Sequence, residues 1–91
     1  MRTIVFHLTK RQRPIIIGAC RNFGCQTKDL IYALLDHADS APLPVTSPEE
    51  REYFLAIPID EAHLRILNGL CLKYHVDAHT ILAALVEQQL C

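Results

Sequence analysis

Glycine is scarce in this chain. Only Gly18, Gly24 and Gly69 occur, too scattered to form a glycine-rich loop that cradles phosphate. Cys20, Cys25, Cys71 and Cys91 contain no CxxC pair, which excludes a zinc site of the usual spacing. No apolar stretch approaches the roughly 20 residues of a membrane-spanning helix. The opening MRTIVFHLTKRQR interrupts its apolar residues and meets a basic cluster, so it lacks the core and cleavage site of a signal peptide. A soluble cytoplasmic protein without a membrane partner is the expectation. Without an export signal, the cysteines read as reduced thiols, with Cys20 and Cys71 buried as small hydrophobes on apolar helical faces.

Hydrophobic residues make up 51% of the 91 positions, enough for the core of one compact domain spanning 1–91. The net charge is −1, but it is unevenly spread. Arg2, Lys10, Arg11, Arg13, Arg21 and Lys28 outnumber Asp29, Asp36 and Asp39 in residues 1–40. In residues 41–91 only Arg51, Arg65 and Lys73 face seven acids. An acidic partner would meet the first half.

The chain reads as one unit written twice. Shifted by 51 positions without a gap, residues 2–40 align with 53–91, and Ile15/Ile66, Gly18/Gly69, Cys20/Cys71, Ala33/Ala84 and Leu34/Leu85 are identical. Pattern carries the repeat further than identity. Ile4, Phe6 and Leu8 alternate as a strand with one buried face, and Leu55, Ile57 and Ile59 match them. Thr9 and Asp60, both helix-capping types, follow. A helical stripe comes next: Ile15, Ile16, Ala19, Cys20 and Phe23, or Ile66, Leu67, Leu70, Cys71 and Tyr74. Because proline fits only the first turn of a helix, Pro14 implies that the first helix starts near Lys10 or beyond, or bends there.

The breaks that follow are Phe23-Gly24-Cys25-Gln26-Thr27 and Tyr74-His75-Val76-Asp77-Ala78. Gly24 suits a left-handed helix end, and Asp77 can cap the next helix. The second helices bury Leu30, Ile31, Leu34 and Leu35, or Ile81, Leu82, Leu85 and Val86. Gly18 and Gly69 sit mid-helix, where close helix–helix approach would explain them. Repeat 1 covers 2–38, a linker 39–50, and repeat 2 covers 53–91. Ser47-Pro48-Glu49-Glu50 resembles a helix start, which makes 48–54 a candidate helical turn. A lone strand leaves its backbone unpaired, so the two strands are expected to pair antiparallel. The fold class is α+β, mostly helical, a pseudo-dimer within one chain that could associate further.

A strand and two helices, stable only as a pair and divided by the glycine-plus-cap break (Gly24, Asp77), resemble the ribbon-helix-helix superfamily of Arc, MetJ and CopG-type repressors, here as two tandem copies. The resemblance implies a small DNA-binding regulator without enzymatic activity or cofactor. Its ribbon enters the major groove, and the starts of its second helices hold phosphate. By that resemblance the ribbon-face DNA contacts are Arg2, Thr3, Val5 and His7 with Phe54, Ala56 and Pro58. The phosphate contacts are Lys10, Arg11, Thr27, Lys28, His79 and Thr80, with Ala78 beside them.

The residue types on that face also support a different partner. Phe54, Ala56 and Pro58 can touch a thymine methyl but carry no side-chain donor, and an exposed apolar strand face marks protein contact. The alternative is therefore the same fold serving protein–protein interaction or assembly. His75 and His79 are four apart but divided by the break at Asp77, so no metal site is expected. Nothing groups Cys25 with a base.

Overall fold

The alternating segments form strands, and the strands pair. The computed structural model describes residues 2–44 and 51–90. In it, β1 (Arg2–Thr9) and β2 (Arg51–Ile59) make a two-stranded antiparallel sheet. The other elements are α1 (Gln12–Phe23), α2 (Thr27–Asp36), a 3-10 turn (Ala38–Ser40), α3 (Glu61–Tyr74) and α4 (Ala78–Leu90). The register sets Ile4 opposite Ile57, Val5 opposite Ala56 and His7 opposite Phe54. Val5 therefore faces the residue 51 positions after it. Phe6, Leu8, Ile57 and Ile59 point inward and are buried.

The helices crossing beneath this ribbon complete one core. Leu30, Ile31, Leu34 and Leu35 of α2 are buried, as are Ile81, Leu82, Leu85 and Val86 of α4. The packing is crossed: α4 lies on β1, α2 lies on β2, α1 meets α4, and α2 meets α3. Each second helix thus covers the strand from the other half of the chain. No described helix is long and apolar enough to cross a membrane.

Local capping explains where the helices begin and end. The Gln12 N–H donates to Thr9 Oγ1 at 3.1 Å and the Thr9 N–H donates to Gln12 Oε1 at 3.3 Å, a reciprocal capping box. Asp60 does the same job for α3, its Oδ1 accepting from the His63 N–H at 2.8 Å. Helix α1 begins at Gln12, so Pro14 falls in its first turn, where its missing N–H is harmless. Gly24 (φ 62°) and His75 (φ 56°) end α1 and α3 in the left-handed region. The N–H groups of Cys25 and Val76 then return to the carbonyls of Cys20 and Cys71.

Four expectations are corrected. Phe23 is not core; it is 70% exposed, because the last turn of α1 carries it beyond the helices that cover Ile16 and Ala19. Ile15, Cys20, Ile66, Cys71 and Tyr74 pack only partly against the core, so the thiols of Cys20 and Cys71 are half-buried, as is that of Cys25. No neighbouring atom lies within 4 Å of a Cβ placed on Gly18 or Gly69, so close helix approach does not account for either glycine. Finally, residues 51–54 of the expected helical turn belong to β2, where Arg51, Tyr53 and Phe54 stand opposite Thr9, Leu8 and His7 of β1; residues 48–50 lie outside the described residues.

Candidate nucleic-acid interface

The sheet has a helix-covered face and an outward one. Because side chains alternate along a strand, Thr3, Val5 and His7 share the outward face with Phe54, Ala56 and Pro58. The three cross-strand pairs are Thr3–Pro58, Val5–Ala56 and His7–Phe54. Phe54 is 71% exposed and Val5 44%. The His7 and Phe54 rings meet edge-on, with centroids 4.6 Å apart. Donors are few here: among the described side chains of this face Thr3 and His7 are the polar ones, alongside Arg2 at the end of β1.

The starts of the second helices flank the two ribbon edges. On the β1 edge, the His7 N–H donates to His79 Nδ1 of α4 at 3.1 Å. The two imidazoles lie 4.5 Å apart. On the β2 edge, the Tyr32 hydroxyl of α2 donates to the Pro58 carbonyl at 3.0 Å and accepts from the Asp60 N–H at 3.0 Å. Lys28 holds its ammonium 5.8 Å from the centre of the Tyr32 ring. Sequence reasoning missed Tyr32. A tyrosine on an otherwise aliphatic helix stripe was the available signal, because a buried phenol needs a partner for its hydroxyl.

The expected phosphate contacts divide. Lys28 and Arg2 lie at one end of the ribbon, Arg2 opposite Ile59. Lys10 follows β1 at the other end, and Arg13 stacks 4.9 Å over Tyr53 there. Among the described residues, none of Arg2, Lys10, Arg13 and Lys28 is in an ion pair. Arg11 instead pairs with Glu87 of α4. Thr80 donates its N–H and its hydroxyl to Asp77, each at 2.8 Å. Asp29 accepts from the Gln26 N–H at 3.3 Å. Thr27 Oγ1 lies 4.0 Å from the Cys20 thiol, and His79 is engaged by His7. Beside Arg2 a cleft of about 460 Å³ is lined by Ile59, Glu61, Leu64, Arg65 and Asn68.

A titratable cluster braces the ribbon end next to Lys28. His63 Nδ1 lies 2.7 Å from Asp60 Oδ1 and Nε2 lies 3.1 Å from Asp36 Oδ1. The ring stacks on Tyr32 at 4.0 Å with 12° between planes. Partial desolvation pulls the His63 pKa down, but hydrogen bonds and charge from Asp60 and Asp36 outweigh it and raise the pKa above 6.5. The His63 N–H and imidazole hold the Asp60 carboxyl below its usual value. Desolvation raises the thiol pKa of Cys71 and of Cys25, the latter also through Cys20, so neither is an activated nucleophile. Among the described residues no group of three or more His, Cys, Asp or Glu could hold a metal ion.

No protein-family model matches the chain, and neither curated proteins nor solved structures provide a match.

Proposed function

We propose that the chain is a tandem ribbon-helix-helix module, a pseudo-dimer in one polypeptide, that binds duplex DNA through the outward ribbon and its basic ends. A register in which Val5 faces its own counterpart, Ala56, supports twofold-related copies, and so does the crossed helix packing. The carrying observation is the pair of cations at each end of the ribbon, Arg2 with Lys28 and Lys10 with Arg13, held without ion-pair partners among the described residues. Cations spaced along an exposed strand pair suit the phosphates bordering a groove. With Thr3 and His7 as the main donors on the face, base discrimination is weak and phosphate contact dominates affinity. Asp29 and Asp77 at the helix starts oppose phosphate there, which shifts the contact toward the ribbon ends.

Replacing Arg13 or Lys28 with glutamine tests this. Each change should weaken binding similarly across sequences and reduce the salt slope by about one. Unchanged slopes in both variants would contradict the proposal.

Phe54 favours a second reading. A phenyl group 71% exposed beside Ala56 and Val5 on the outward face of the ribbon suits a protein surface that covers it. In that case Phe54→Ala weakens partner capture while Lys28→Gln does not.

A further inference from the structure

The 51-residue correspondence equates positions whose surroundings differ. Tyr74 corresponds to Phe23, Gln88 to His37 and Ala84 to Ala33. On the Tyr74 side, the chain leaving α2 lies over the helices. Leu43 is buried there, and its N–H donates to the Tyr74 hydroxyl at 3.2 Å. Gln88 Nε2 donates to the carbonyls of Ala38 at 3.3 Å and Ala41 at 2.6 Å. Beneath this cover Ala84 is 2% exposed.

On the Phe23 side the same positions are bare. Phe23 is 70% exposed and Ala33 is exposed. Between them opens an apolar groove of about 350 Å³, lined by Phe23, Leu30, Ala33, Leu34, His37 and Leu90.

We infer that this groove docks an extended, proline-flanked aliphatic segment of a partner protein, of the kind that Ala41-Pro42-Leu43-Pro44 lays over the opposite side. The filled site supplies the recognition chemistry. An aliphatic side chain inserts beside an aromatic ring, and a helix side chain reaches the segment's carbonyls. His37, in the place of Gln88, carries a ring N–H for such a carbonyl. Phe23 lacks the hydroxyl that takes up the Leu43 N–H. A segment rich in proline, which brings few N–H groups, therefore fits the groove with less unsatisfied backbone. This site is separate from the ribbon face and does not depend on DNA binding.

The test is amide chemical-shift mapping on the intact protein, titrated to millimolar concentration with a synthetic peptide of residues 38–44. Saturable shifts are expected across Phe23–Leu34 and at Leu90. They should vanish in Ala33→Arg, which fills the groove from an exposed helix position, and with a peptide carrying Leu43→Asp. Matching far-UV dichroism and melting would establish that the Ala33→Arg protein is folded. Three results would overturn the inference: no shifts, shifts confined to Tyr74 and Gln88, or shifts that persist in Ala33→Arg. Changes at the groove on simple protein dilution would assign it to a second copy instead.

Discussion

Val5 stands directly opposite Ala56 across the ribbon, the residue 51 positions after it. The outward pairs are non-hydrogen-bonded ones: the His7 N–H turns away to His79, and Pro58 has no N–H to give. In such pairs opposite Cα atoms lie about 4.5 Å apart, within disulfide range. Val5→Cys with Ala56→Cys should therefore oxidise to a cross-strand disulfide without loss of structure. The melting temperature should rise, with a ceiling of about 4 kcal/mol for a loop of this length. Peptide mapping would identify the bond, and its failure to form would place the register elsewhere.

Adjacent residues separate the two faces. Ile57 is buried, so Ile57→Asp places an unpaired charge in the core and should remove more than about 4 kcal/mol, a large share of a small domain's stability. Ala56→Asp, one residue earlier and exposed, should leave folding intact. Denaturant titrations compare them; equal losses would contradict the alternation.

Gly18 and Gly69 have room for a methyl group and lie within helices. Changing either to alanine should stabilise by about 0.5–1 kcal/mol, or roughly 2–8 °C in melting temperature for a domain of this size. Gly24→Ala should destabilise by about 1–2 kcal/mol, because a Cβ is strained at a left-handed helix end. His75→Gly, in the same conformation, should stabilise.

The cluster around His63 predicts a pH effect. A raised folded-state pKa means that the protonated imidazole is favoured in the native state. Its stabilisation is complete below 6.5 and is lost as pH rises through the raised value. Asp60, with a lowered pKa, contributes above 3.8 and loses its contribution as pH falls through the folded value. The melting temperature should thus decline on the alkaline side of 6.5, and His63→Gln should remove that decline. A wild-type slope retained in His63→Gln would assign the effect to another group.

Much of this architecture was legible in the sequence because it rests on local rules. Alternation at Ile4, Phe6 and Leu8, the Thr9 and Asp60 caps and the Gly24 break each act within a few residues. The 51-residue offset then implied the strand pairing. What escaped reading depends on crossing contacts. Tyr32 reaches Pro58 and Asp60, and His63 reaches Asp36, across 26 to 28 positions that no periodicity encodes. The exposure of Phe23 was equally hidden, since its helical spacing is that of a core residue. Only the asymmetric course of the chain after α2, which covers Tyr74, distinguishes the two. At the ribbon, the outward positions were legible, but the engagement of His79 by His7 and of Arg11 by Glu87 was not.

Binding of the unmodified protein to a mixed-sequence DNA duplex, followed by fluorescence anisotropy from low to physiological salt, tests the DNA reading most directly. The expected result is tight binding at low salt that weakens steeply, with a log–log slope of about −4 for four phosphate-contacting cations. No binding at low salt would contradict it and leave the apolar surface around Phe54 as the site to match with a protein.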